Sequence, residues 1–187
     1  MVKDNLLFVH IPKTGGTSIL KILKEKQLDN WKRVLTANHD PLFIMEKNNV
    51  ISDNTFKFAV VRNPYTRTFS YYKHFCRCND LKLTFADFLC ILKEKNKFHQ
   101  ITPFIYYPQS FFIYNKSGEC GLDKIYRYER FNEIENDLNL KFDHLNKGSY
   151  TQEEYFECLS DSDNVNLIQE LFYIDFINFQ YSLNFSN

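Results

Sequence analysis

The sequence predicts a single α/β domain over residues 1–187, with a mostly parallel central sheet flanked by helices. Three observations lead there. Short apolar runs alternate with stretches of helical periodicity, the first run hands over to a helix through a Gly-Gly turn, and Phe56 to Val61 is dominated by the aromatic and β-branched types of a strand buried on both faces.

Leu6 to His10 is the first strand, ended by Pro12 and Gly15-Gly16. Thr17 to Lys26 carries apolar residues at 19, 20, 22 and 23 among lysines, which is the spacing of an amphipathic helix. Arg33 to Thr36 is a candidate second strand, and Asp40-Pro41 supplies a cap and a first helical position for a segment from Leu42 to about Lys47. After the strand at Phe56 to Val61, Asn63-Pro64 starts a helix running from Tyr65 to about Phe75. Thr84 to Lys95 has a polar cap and apolar residues at 85, 88, 89 and 92, again helical. Pro103 and Pro108 break the stretch from Gln100 to Pro108 into a loop, Lys124 to Tyr128 alternates as a late strand, Asn132 to Leu140 follows as a helix, and Asn164 to Gln180 closes the chain as another. There is no repeat, low-complexity tract or linker.

Composition narrows the function. With 187 residues, 44% apolar and 25% charged, the chain can bury a core, and disordered, collagen-like and mucin-like readings are excluded. The 23 basic and 23 acidic side chains balance, so the chain is not expected to be held on nucleic acid by bulk charge. The distribution is uneven: residues 1–75 hold twelve basic and six acidic side chains, and residues 76–187 hold eleven and seventeen. A polyanionic ligand is therefore expected on the first half. The longest apolar run, Phe88 to Leu92, is far short of the roughly 20 residues that span a bilayer. Met1 to Asn5 passes at once into the first strand, so no targeting segment and a cytoplasmic location are expected. The five cysteines lack paired zinc spacing and read as reduced thiols.

The most informative segment is His10-Ile11-Pro12-Lys13-Thr14-Gly15-Gly16-Thr17-Ser18, at the strand-to-helix handover. Glycines there let the backbone approach a ligand, successive N–H groups can point inward, and a helix N-terminus favours an anion. Lys13 adds a mobile charge, and Thr17 and Ser18 add hydroxyl donors. Such a segment is a phosphate cradle, or else a tight turn with incidental polar residues. It is not a Walker A loop, since the lysine precedes the glycines. A second segment, Phe58 to Tyr72, places Arg62 at a strand end and Ser70 on the next helix. A guanidinium there offers a bidentate fork to phosphate and a hydroxyl adds a donor, the plain alternatives being a surface ion pair and an ordinary helix residue. His39 precedes Arg62 by 23 residues and suits proton abstraction near neutral pH, or else caps the helix near Asp40.

On these residues the chain resembles the sulfotransferases that use 3′-phosphoadenosine 5′-phosphosulfate (PAPS). The loop at 10–18 is similar to their 5′-phosphosulfate-binding loop, and Phe58 to Tyr72 to the strand and helix that bind the 3′-phosphate. The resemblance implies a P-loop-like sulfotransferase fold. It implies PAPS contacts from Lys13, Thr14, Gly15, Gly16, Thr17 and Ser18, with Arg62 and Ser70 on the 3′-phosphate. Lys147, Gly148 and Ser149 resemble the loop that closes over the nucleotide's 3′ side, and Leu122 to Glu129 the late strand ending in an aromatic and a glutamate. Arg67 belongs to the pattern as a structural brace. In the glycan 2-O-sulfotransferase branch a histidine in a Gly-His pair at similar spacing is the catalytic base, which implies that role for His39, with Asn38 standing where that branch has glycine.

The implied reaction moves a sulfuryl group from PAPS to an acceptor hydroxyl by in-line displacement. Lys13 stabilises the leaving group, His39 is the general base, and no metal is needed. The expected acceptor is a saccharide, with Tyr71, Tyr72, Lys73, His74 and the loop near Gln109 as candidate contacts. His10 is expected to be structural. Two other readings stand beside this one: a P-loop-type nucleotide kinase, and a catalytically inactive protein that binds PAPS or bisphosphoadenosine.

Overall fold

A computed structural model describes residues 6–25, 39–47, 51, 54–94, 107–141 and 150–185. Among these lie three strands in one parallel sheet and eight α-helices, an α/β fold as the sequence predicts. The expected strand at 33–36 and the loop at 147–149 fall outside the described residues. The chain divides into two compact units, Met1–Arg62 with Gln109–Asn146, and Asn63–Pro108 with Lys147–Asn187.

The first unit holds the sheet. Strand β1 (Leu6–Val9) pairs with β2 (Phe56–Val61), and β2 pairs on its other edge with β3 (Lys124–Arg127). All four β1 residues and the last four of β2 are buried, which is why these runs read as continuous apolar stretches and not as alternating ones. Leu6, Phe8, Phe58, Val60 and Tyr126 form one core with Ile19, Ile22 and Leu23 of α1 (Gly16–Glu25) and with Ile134 and Leu138 of α6 (Phe131–Leu138). The Tyr126 hydroxyl, deep against this core, donates to the Asp137 carboxylate at 3.0 Å, and Lys124 pairs with the same carboxylate. Two short helices, α2 (Leu42–Lys47) and α5 (Ser110–Ile113), belong to this unit. Helix α5 is a single turn between prolines and turn residues that sequence periodicity does not detect.

The second unit is helical. Helix α3 (Pro64–Asn79) starts where the sequence says it should: the Asn63 side chain accepts the Tyr65 N–H at 2.9 Å and Pro64 takes the first position. It ends one turn later than expected, at Asp80 in the left-handed conformation (φ 51°). Helix α4 (Phe85–Lys93) opens on a capping box between Thr84 and Asp87. Helix α7 (Gln152–Ser160), which the sequence reading omits, opens on the same device between Thr151 and Glu154. Helix α8 (Ser162–Asn178) is interrupted at Phe172, whose φ of −124° and ψ of 23° are not helical. Tyr65, Phe69, Phe75, Phe85, Phe88, Phe172 and Phe176 dominate the core, so much of the chain's high aromatic content packs here.

Candidate functional site

The loop after β1 is shaped by its own side chains. Thr14 is buried, and its hydroxyl donates to the Ile11 carbonyl at 2.9 Å, closing the turn. Lys13 and Gly15 both take positive φ, 68° and 86°, one on each side of Thr14. Left-handed residues inside a turn gather successive N–H groups into an anion-binding concavity, and for lysine that conformation costs about 1 kcal/mol. The Ser18 N–H donates to the Gly15 carbonyl at 3.1 Å as α1 begins, with Thr17 exposed and Ser18 buried. The first N–H groups of any helix lack an intrahelical acceptor, so α1 directs donors and positive potential at this loop.

Both glycines have a second reason to be glycine, which the sequence does not disclose. A Cβ on Gly16 would lie 2.0 Å from Cδ2 and 2.1 Å from Nε2 of His10. One on Gly15 would lie 3.1 Å from atoms of Tyr128 and of Phe131, in addition to the strain of its positive φ. The protein's own rings occupy the space that the missing side chains leave.

Arg62 follows β2 directly and is buried. Its Nη1 donates to the Lys13 carbonyl at 3.3 Å, and its guanidinium carbon stands 4.3 Å from the centre of the Tyr128 ring. Its main chain is fixed from both sides by Gln109: the Arg62 N–H donates to Oε1 at 2.8 Å, and Nε2 donates to the Arg62 carbonyl at 2.8 Å. Gln109 is fully buried, and both ends of its side-chain amide bond the Arg62 main chain. Tyr128 leaves the sheet into a 3₁₀ turn over Tyr128–Arg130, and its ring then meets both Arg62 and Gly15. The sequence points to Arg62, to the loop near Gln109 and to the strand that ends at Tyr128, but not to the contacts that Gln109 and Tyr128 make with Arg62. Gln109 and Arg62 are 47 positions apart and no local pattern links them.

His39 is brought to the same loop. Its ring centre is 4.2 Å from that of His10, and its Nδ1 is 2.9 Å from the His10 main-chain oxygen. A carbonyl can only accept, so Nδ1 carries the proton and Nε2 keeps the lone pair when the ring is neutral. Burial, reinforced by the charge His39 can carry, lowers the His10 pKa to about 3, leaving His10 neutral in neutral solution.

Ser70 is half-buried on α3 and belongs to the second unit, whereas the loop, Arg62 and His39 belong to the first. Lys147, Gly148 and Ser149 lie outside the described residues. Of the expected acceptor contacts in the second unit, Tyr71 is buried among rings, the Tyr72 hydroxyl donates to the Leu83 carbonyl at 2.7 Å, Lys73 pairs with Glu154 at 2.8 Å, and His74 meets Arg77 and Cys78. Arg67, expected to brace a neighbouring carboxylate, is buried and donates to the Tyr107 main-chain carbonyl through both terminal nitrogens, at 3.3 and 3.4 Å. Among the described residues no helix is long and apolar enough to cross a membrane, and no group of three or more His, Cys, Asp or Glu side chains could hold a metal ion.

The first unit thus joins a donor-rich loop at a helix N-terminus to a buried arginine and to a histidine with one basic nitrogen. No curated protein matches the chain, and no solved structure matches it. The sequence pattern of the sulfotransferase family matches residues 2–182, nearly the whole length, and with that match the chain belongs to the sulfotransferase family.

Proposed function

We propose that this sulfotransferase uses PAPS as donor and a hydroxyl, in a saccharide, as acceptor, with residues 1–187 working as one domain. The family match spans both compact units, which supports the last point. The observation that carries the donor assignment is the convergence of Arg62 on the Lys13 main chain, in a loop with two left-handed residues at the head of α1. The loop and its surroundings supply donors and cations: Lys13, the hydroxyls of Thr17 and Ser18, the loop N–H groups and Arg62. A bisphosphate with a sulfuryl group is the kind of anion such a set fits.

When bound, the donor supplies the sulfuryl group and departs as 3′,5′-bisphosphoadenosine. The residues of the loop hold the 5′-phosphate through amide donors, and Lys13 neutralises the charge that grows on the bridging oxygen as its bond to sulfur breaks. Arg62 and Ser70 serve the 3′-phosphate, with Lys147, Gly148 and Ser149 as further contacts. His39 accepts the acceptor's proton on Nε2 as the new sulfur–oxygen bond forms. The resulting imidazolium keeps its Nδ1–H bond to the His10 carbonyl, now charge-assisted. Nothing in this scheme requires a metal.

The test is sulfuryl transfer from labelled PAPS to a panel of saccharides and small alcohols. Lys13→Ala and His39→Ala are each expected to lose about 100-fold or more in kcat, with His39→Ala still binding the bisphosphate. Wild-type turnover in both variants would overturn the assignment of roles.

A further inference from the structure

His10 lies at the join of three things that a sulfuryl transfer must align. Its ring sits beside that of Phe8, 5.6 Å between centres and 25° from parallel, and Phe8 in turn packs at 5.1 Å on Phe58 in the core. On a second side the ring fills the space over Gly16, where even a methyl group would collide with it. On a third it meets the His39 ring at 4.2 Å, while the His10 carbonyl takes the His39 Nδ1 proton. A column of rings therefore runs from the sheet core to His39, and one member of that column rests on the phosphate loop.

We infer that His10 is a positioning residue for His39: its ring and main-chain carbonyl set the orientation and the tautomer of His39 and tie both to the seating of Gly16. The inference rests on His39 being the base of the reaction. Orientation matters because a base works only when its lone pair points at the proton, and a misplacement of about 1 Å can cost about 100-fold in rate. A free histidine side chain favours the proton on Nε2, the tautomer with no lone pair at that atom. The His10 carbonyl reverses that preference. Burial also keeps the His10 ring neutral in neutral solution. Because the ring touches Gly16, a loop that tightens on a phosphate presses on the same wall that holds the base.

Two readouts test this on the full chain. Long-range ¹H–¹⁵N NMR of the histidine rings at pH 7.5 reports tautomers without any turnover, with His10 and His39 assigned by substitution. Wild-type His39 is expected as the Nδ1–H tautomer, and a wild-type Nε2–H tautomer would overturn the inference even if every variant misfolded. In His10→Ala, which keeps the carbonyl but removes the wall, His39 should become a mixture. There kcat should fall about 10-fold or more, with the KM for PAPS changed less than about 3-fold. His10→Phe, which keeps a flat ring, should recover kcat to within about 3-fold of wild type. Unchanged His39 signals and kcat in His10→Ala would overturn the inference. So would an equal loss of kcat and donor affinity, or a His10→Phe variant as impaired as the alanine one. Should His39→Ala retain wild-type turnover, the base assignment fails, while the tautomer comparison still decides whether His10 governs His39.

Discussion

Acidification should destabilise this protein through His10 in a way that one substitution removes. The imidazole has an ordinary pKa of 6.5, which burial, and secondarily the charge on His39, lowers to about 3 in the folded protein. Above pH 6.5 the ring is neutral folded and unfolded, and it contributes no pH dependence. Between 6.5 and 3 the unfolded chain binds the proton and the folded protein does not, so stability falls with falling pH. At about 1.4 kcal/mol per pH unit within that window, the step from pH 7 to pH 5 costs about 2 kcal/mol. Urea unfolding of wild type and of His10→Phe at both pH values, followed by circular dichroism, measures this directly. The other titrating groups are common to both proteins, so wild type should lose about 2 kcal/mol more than the variant. Equal losses would refute the picture of a buried, neutral His10.

Further substitutions probe the frame around the site. Gln109→Ala removes two 2.8 Å hydrogen bonds to the main chain of buried Arg62, and should cost about 2–4 kcal/mol in urea unfolding while weakening bisphosphate binding in calorimetry. Gly16→Ala places a Cβ 2.0 Å from the His10 ring. It should cost about 1–3 kcal/mol of stability and about 100-fold in turnover, read from thermal melts and transfer rates. Thr151→Ala breaks the capping box of α7, in which the Glu154 N–H donates to the Thr151 hydroxyl at 3.2 Å and the Thr151 N–H donates to the Glu154 carboxylate at 2.9 Å. About 1 kcal/mol should be lost, with transfer activity unchanged.

The elements that announce themselves locally were legible in the sequence. Strand β1 and the last four residues of β2 are unbroken apolar runs because both their faces are buried, and α3 carries its start in Asn63-Pro64. Helix α7 was equally announced, by the Thr151 to Glu154 capping pattern, but its weak apolar stripe hides it from a search for periodicity. Helix α5 has no such signal, being one turn without a side-chain cap. At the site, the loop and Arg62 were readable because their residue types are chemically distinctive. The hold of Gln109 on Arg62, and of the His10 carbonyl on His39, were not: each joins positions far apart in sequence, 47 and 29 residues, which only the folded chain brings within hydrogen-bonding distance. The glycines show a subtler gap. Gly15 and Gly16 read in the sequence as room for a ligand, but the His10 ring fills the space over Gly16 and the rings of Tyr128 and Phe131 crowd that over Gly15.

We propose that the loop at 10–18 and Arg62 form the donor site of a PAPS-dependent sulfotransferase. Isothermal titration of the full chain with 3′,5′-bisphosphoadenosine, beside 5′-AMP and ATP with magnesium, tests it most directly. Saturable binding of the bisphosphate is expected, at least about 10-fold tighter than of either other nucleotide, a margin of about 1.4 kcal/mol. No binding of the bisphosphate, or a preference for ATP with magnesium, would contradict it.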